Sequence, residues 1–314
     1  MSDDAGHTDD ALVEALGWLK AERYAFVTPT PATHAGFLAR HAAGEARDLR
    51  DIFGWNMPFR PETIAPRLLS LLDHGGALER RGELLASRYR VASFADALFL
   101  HGAFPTSALD TVFFGPDSYR FAAFLRRSLA DARHVTRFVD IGAGAGIGAH
   151  AVSMLFPDAA CVLTDLNGDA LRLAGINARA AGRTVERIET DTLDGLTGAF
   201  DLVVANPPYM IDASRRTYRD GGDMHGGGVS LKWTQAALAR LSAGGRFLLY
   251  TGTAIVNGVD VLSDALRRAA AVHGCTYDFQ EIDPDVWGDD LALPCYADVE
   301  RIAVIGAVMT KPRP

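Results

Sequence analysis

Cysteine is scarce in this chain. It has three in 314 residues, Cys161, Cys275 and Cys295. An odd number at wide spacing gives neither a disulfide framework nor a zinc spacing, so each reads as a small core residue. Positive charge is short as well: 31 Lys and Arg stand against 39 Asp and Glu, a formal net charge of −8. That is not the basic balance of a tight nucleic-acid binder. No apolar run approaches the roughly 18 residues of a membrane span. The opening Met1-Ser2-Asp3-Asp4 is acidic and lacks the basic and apolar regions of a secretory signal. These absences lead us to expect a cytoplasmic protein with no membrane partner. Apolar residues at 48% and charged residues at 22% suit a globular chain, and the length suits one large domain plus a smaller one.

The first 110 residues read as an accessory, substrate-recognition domain, mainly helical, and residues 111–314 as a cofactor domain. After an acidic tail, Leu12, Ala15, Leu16 and Leu19 predict a helix over Ala11–Tyr24. A second helix is expected over Pro31–Ala43. A third begins near Pro61-Glu62, runs through Leu72 and stops at Gly75-Gly76. Ala77–Val91 reads as a β-hairpin turning at Arg81-Gly82. Helices followed by a hairpin resemble a winged-helix module, which can bind DNA or dimerise an enzyme. Leu98–His101 and Thr111–Phe114 look like short strands. Asp117 or Ser118 then caps a helix over Tyr119–Ala130. Tyr119 is a candidate cofactor contact, with an apolar staple as its other reading.

Thr136–Ile141 is a strand carrying Asp140 near its end. Gly142-Ala143-Gly144-Ala145-Gly146-Ile147-Gly148 and the helix Ala149–Leu155 follow. Strand, glycine loop and helix make a nucleotide-binding βα unit, which nominates Asp140, Gly142, Ala143, Gly144 and Gly146 as cofactor residues. The strand Ala160–Thr164 ends in Asp165, with Leu166 beside it; an acid there accepts ribose hydroxyls. After the helix Gly168–Ala181 and a third strand near Val185–Glu189 come Asp191 and Thr192, suited to an adenine amino group. An NAD enzyme is the obvious rival, since Gly144–Ala149 fits G-x-G-x-x-A. But Asp140 immediately before the glycines would repel a pyrophosphate and favour a ligand bearing an ammonium and a sulfonium. S-adenosylmethionine has those features.

The next strand is an apolar run, Phe200–Ala205, that stops at Asn206-Pro207-Pro208-Tyr209. Two prolines offer carbonyls and no N–H donors. The Asn206 side-chain oxygen and the Pro207 carbonyl are placed to accept from a flat N–H2 group, with Tyr209 stacked on its plane. Asn206, Pro207 and Tyr209 are therefore the catalytic candidates, Asn206 also lying near the cofactor. Asp140–Gly146, Asp165, Asp191 and Asn206–Tyr209, in that order, resemble the motifs of class I S-adenosylmethionine-dependent methyltransferases. The Asn-Pro-Pro-Tyr form resembles the HemK-like subgroup, which methylates planar nitrogens. The resemblance covers residues 110–312. It implies a Rossmann-like seven-stranded, mostly parallel sheet with an antiparallel last strand, S-adenosyl-L-methionine as cofactor and no metal. Strands at Arg246–Thr251, Cys275–Ile282 and Arg301–Met309 and a helix at Val261–His273 fit that pattern.

The loop Ile211–Ser230, with Arg215, Arg216, Arg219 and His225, reads either as a lid over substrate or as a solvated linker. The expected substrates are a protein glutamine, then a small-molecule amine or amide, then a nucleic-acid base. A cofactor-binding protein with a non-methylating reaction is the remaining alternative.

Overall fold

The computed structural model describes residues 2–41, 44–106, 108–132 and 134–313. They group into two units. One holds Met1–Tyr119 together with Gly144–Gly146 and Arg172–Thr184; the other holds Arg120–Ala143, Ile147–Leu171 and Val185–Pro314.

In the first unit the helices are α1 (Ser2–Ala21), α2 (Pro31–Arg40), α3 (Leu49–Phe53) and α4 (Pro66–His74), and the strands are β1 (Leu78–Arg81), β2 (Leu84–Ser87), β3 (Tyr89–Phe94) and β4 (Ala97–Gly102). Helix α1 begins well before Ala11, the start expected from the apolar spacing. Two of the acidic residues expected in a tail, Asp9 and Asp10, are engaged in the helix: Asp9 accepts from Arg172 at 2.7 Å and Asp10 pairs with Arg179. The second helix ends at Arg40; Ala43, its expected end, lies outside the described residues. The third expected helix is two pieces, a 3-10 turn at Pro61–Thr63 and α4. Pro66 is the cause: a proline pushes the residue before it out of helical geometry, and Ala65 is extended at φ −58°, ψ 138°.

The single expected hairpin is two. Strands β1 and β2 pair with Arg81 opposite Leu84, so the turn is Gly82-Glu83. Strand β4 pairs with β3 as a second hairpin, with His101 opposite Arg90. Thr111–Phe114 is not a strand; its link to β4 is one bond from the Gly102 amide to the Val112 carbonyl. Asn177 brackets Leu100 on β4, accepting from its amide and donating to its carbonyl, and also donates to the Ala145 carbonyl at 3.0 Å.

Helix α5 (Pro116–Ser128) begins at Pro116. Asp117 and Ser118 therefore sit in its first turn and not at its cap, in keeping with proline's preference for the first helical position. The second unit then builds its sheet from β5 (Arg137–Ile141), β6 (Ala160–Asp165), β7 (Glu186–Glu189), β8 (Phe200–Ala205), β9 (Leu241–Val256), β10 (Val259–Asp260), β11 (Thr276–Asp283) and β12 (Arg301–Thr310), with helices α6 (Ile147–Leu155), α8 (Gly228–Ala239) and α9 (Ser263–Val272); the helix between β6 and β7, α7 (Gly168–Ala180), belongs to the first unit from Arg172 on. The order is β11-β12-β9-β8-β5-β6-β7, with β10 folded back on β9. Strands β7, β6, β5, β8 and β9 are parallel; β12 is antiparallel to both β9 and β11. This is the expected mostly parallel Rossmann-like sheet with its last strand reversed. Its core is the apolar run of the central strands, including Val139, Ile141, Val203, Ala205, Phe247 and Leu249, all fully buried.

One buried polar cluster in the first unit has a measurable consequence. His34 has its Nε2 at 3.0 Å from the Trp55 carbonyl and its Nδ1 at 3.4 Å from Arg90 Nη1. Burial, and after it the Arg90 charge, push the His34 pKa from 6.5 down to about 4. A base held neutral in the fold supports stability above its unfolded pKa and loses that support as pH falls through the folded one. Urea unfolding should therefore show wild type losing stability between pH 6.5 and 4, by about 1.4 kcal/mol per unit of separation. His34→Gln should flatten that limb, and parallel curves for the two proteins would contradict the assignment.

Candidate functional site

Parallel pairing sets Asp140 opposite Val204 and Ile141 opposite Ala205. The next residues along, Gly142 and Asn206, leave adjacent strand ends. Strand β5 has β6 on its other side, so the chain turns both ways from it, and ligands of open α/β sheets bind outside such a switch point.

Asp140 is 1% exposed, and its carboxylate accepts from the Ala149 amide at 2.8 Å. The acid thus faces the first turn of α6, where the helix dipole favours negative charge. Burial still dominates and raises its pKa to about 7, with Asp165 adding in the same direction. A side chain on Gly148 would strike this carboxylate, its Cβ lying 2.6 Å from the Asp140 oxygen. Gly142, Gly144 and Gly146 all have positive φ. The space a Gly142 Cβ would fill is taken by the Trp233 indole, 2.3 Å away, on α8. Ala143 donates to the Thr164 carbonyl, which ties the loop to β6.

Asp165 is half-buried, one oxygen accepting from the Asn167 amide at 2.9 Å. Leu166 next to it is 60% exposed, an apolar surface beside an acid. Asp191 pairs with Lys232 of α8, and Thr192 is buried behind it. Tyr119 belongs to the first unit, where its hydroxyl accepts from the Thr28 amide at 3.1 Å and its ring meets Phe114 edge-on.

Asn206 is half-buried, and its amide forms no side-chain hydrogen bond within the described residues; the Pro207 carbonyl accepts none there either. Tyr209 is 7% exposed. Its ring lies on Gly252 of β9, where a Cβ would sit 2.0 Å from ring Cδ2. Its hydroxyl accepts from the Trp287 indole N–H at 2.9 Å. The loop beyond it is tied at several points, with residues 213–215, Thr217, Gly222 and Asp223 exposed between them. Met210 bridges to Asp220, Arg216 forks onto Asp212, Arg219 pairs with Asp290 at 2.7 Å, and His225 lies 3.1 Å from Asp298. Its last residues, from Gly228, are already helix α8. Trp287, Gly252, Trp233 and Lys232 are site neighbours that no local pattern in the sequence singles out.

Residues 114–266 match the family model described as the methyltransferase small domain. That stretch of the chain is similar to the methyltransferase small domain. The resemblance to class I S-adenosylmethionine-dependent methyltransferases is thereby borne out for this domain. A release factor glutamine methyltransferase of Deinococcus radiodurans is 40% identical over 95 residues, 30% of this chain and 34% of that protein. A ribosomal protein uL3 glutamine methyltransferase of Neisseria gonorrhoeae is 39% identical over 74 residues, 23% of this chain and 25% of that one. The match thus spans about a third or less of the length of these relatives. Among solved structures, wild-type Trm5b of Pyrococcus abyssi agrees in fold with a TM-score of 0.50 at 14% identity, over 79% of this chain and 68% of that one.

The buried acid gives a test independent of ligand. Asp140 has its folded pKa raised to about 7 from 3.8. Its contribution is therefore fully present below 3.8 and is lost as pH rises through 7. Asp140→Asn removes that titration. The stability of the variant relative to wild type should climb between pH 4 and 7 and level off above. A flat difference in denaturant midpoint would show that Asp140 ionises as freely in the fold as in the unfolded chain.

Proposed function

We propose that the protein transfers a methyl group from S-adenosyl-L-methionine to the planar nitrogen of a primary amide, a glutamine side chain of a protein substrate. The observation that carries this reading is the pair of hydrogen-bond acceptors at the end of β8: the Asn206 side-chain oxygen and the Pro207 carbonyl, neither engaged by another described residue. A primary amide has two N–H donors to give them.

The residues around the first βα turn fit the cofactor. Asp140 and Asp165 are acceptors toward a cationic ligand with a ribose, Leu166 offers an apolar surface to a base, and the glycine loop lets a ligand approach the backbone. Lys232 already holds one oxygen of Asp191, which leaves the other for an adenine amino group. When bound, S-adenosylmethionine supplies a methyl group already activated on a sulfonium, so nitrogen takes the carbon, sulfur keeps the bonding pair and the displaced proton goes to water. Asn206 and Pro207, by accepting the two N–H groups, favour a tetrahedral nitrogen whose lone pair is drawn out of conjugation with the carbonyl and aimed for displacement. Tyr209 bounds the same group from its ring side.

The near-complete burial of Tyr209 favours the small amide over a nucleobase. A base stacks over a whole ring face, and a ring 7% exposed with Gly252 against it offers little to stack on. The negative balance of the chain points the same way. The two relatives with glutamine methyltransferase names support a protein substrate, and such a substrate fits the expected cytoplasmic setting.

Labelled S-adenosylmethionine incubated with separated protein, RNA, DNA and metabolite fractions tests the substrate class; label entering nucleic acid alone would overturn it. Calorimetry should show saturable binding of S-adenosylmethionine and none of NAD. With the substrate in hand, Asn206→Ala should keep most cofactor affinity and lose turnover by roughly a hundred- to a thousand-fold. Asp165→Ala should do the opposite, weakening cofactor binding by about ten-fold or more as charge-assisted hydrogen bonds are lost. Full turnover in Asn206→Ala would remove the amide mechanism.

A further inference from the structure

The Asn-Pro-Pro-Tyr exit is braced by a segment far away in sequence. Between β11 and β12 the chain runs through short 3-10 turns at Gly288–Ala292 and Pro294–Tyr296. Four side-chain contacts from this connection reach Tyr209 and the loop after it. Trp287 donates its indole N–H to the Tyr209 hydroxyl, and the Ile211 amide donates to the Tyr296 hydroxyl at 2.6 Å. Asp290 takes Arg219, and Asp298 faces His225.

Trp287 is itself held under strain. Its φ is +59°, the left-handed region, which disfavours a bulky L-residue. Strain of that kind persists where surrounding structure over-determines it, and it collects at functional sites. The surroundings here are plain. The Val286 amide donates to the Ile302 carbonyl, anchoring the backbone to β12, and the Arg219 guanidinium lies 5.2 Å over the indole ring. Tyr209 is then fixed at both ends, its ring on the bare backbone of Gly252 and its hydroxyl on Trp287. Neither contact occupies Asn206, so the brace sets where the ring stands without competing for the acceptors.

We propose that Trp287 is a positioning residue for methyl transfer: its indole N–H fixes the ring of Tyr209, which in turn sets the plane of the substrate amide beside Asn206. The proposal rests on the amide-methylation reading above. It assigns the β11–β12 connection to the substrate side of the site, and it makes Trp287 act on turnover and not on cofactor binding.

The decisive variant is Trp287→Phe, which keeps an aromatic ring and removes the donor. Two measurements separate this proposal from the reading it rests on. The first needs no substrate. The protein is labelled with 3-fluorotyrosine, the Tyr209 fluorine resonance is assigned by its loss in Tyr209→Phe, and wild type is compared with Trp287→Phe. The Tyr209 signal should shift and broaden, the other tyrosine signals holding their places. The second uses labelled S-adenosylmethionine and the peptide acetyl-Gly-Gln-Gly-amide. Trp287→Phe should lower kcat by about ten-fold, a modest misplacement on the scale of orientation effects, with S-adenosylmethionine affinity unchanged. Trp287→His, which restores a ring N–H, should recover part of the loss.

An unmoved Tyr209 resonance overturns the proposal whatever the activity. So does a freed ring with unchanged kcat, and so does a loss confined to cofactor binding. If wild type transfers no methyl group to the peptide or to a protein fraction, the amide reading fails and the proposal falls with it, whereas the fluorine spectrum still reports separately whether the brace exists.

Discussion

The site depends on one backbone register. Strands β5 and β8 run parallel with Ile141 beside Ala205, and neighbouring strands lie about 4.8 Å apart. That pairing makes Gly142 and Asn206 the first residues past the sheet on adjacent strands. A slip of one residue would turn every side chain of β8 to the opposite face and carry Asn206 away from the glycine loop. The register is protected by burial: Val203 and Ala205 of β8, and Val139 and Ile141 of β5, sit in one apolar core. Exchanging faces would send the neighbours Leu202 and Val204 into that core's places, so the register is fixed by packing on both sides of the sheet and not by polarity alone.

Asp140 shows how that arrangement holds a cost. A carboxylate at 1% exposure is expensive to ionise, and its pKa near 7 expresses this. The Ala149 amide and the N-terminal end of α6 offset part of the cost. A positive ligand group nearby would offset more, so a cation and the ionised acid favour each other. The acid is thus both a brace between β5 and α6 and a group whose charge responds to what lies beside it.

Much of the second unit was legible in the sequence because its signals are local. Apolar runs ending in Asp165 or Asn206, and glycines between Asp140 and α6, mark strand ends and turns within a few residues. The first unit was harder to read. Pro66 splits what looks like one helix, because its effect on Ala65 outweighs the apolar spacing from Ile64 to Leu72. The second hairpin was hidden by treating Ala77–Val91 as one pair of strands, when Arg88 separates β2 from β3. Acidic residues early in α1 read as a tail because their partners, Arg172 and Arg179, lie more than 160 residues on. Nothing local points from Tyr209 to Trp287 either, 78 residues away.

The same long-range partners change the meaning of the arginine loop. Read alone, Arg215, Arg216 and Arg219 look like a clamp for a substrate carboxylate or phosphate. In the fold, Arg216 is spent on Asp212, holding that acid's pKa down at about 2, and Arg219 on Asp290 and the Trp287 ring. Of the three, Arg215 is the most exposed, at the surface with φ +52°. The loop's charges are therefore used to hold its own shape against the β11–β12 connection. Gly226 presses so closely on Tyr209 that a Cβ would lie 2.3 Å from the Tyr209 carbonyl oxygen. Arg216 and Arg219 would each have to leave an acidic partner before pairing with an anion, so the charge that looked like a clamp in the sequence is largely committed within the fold.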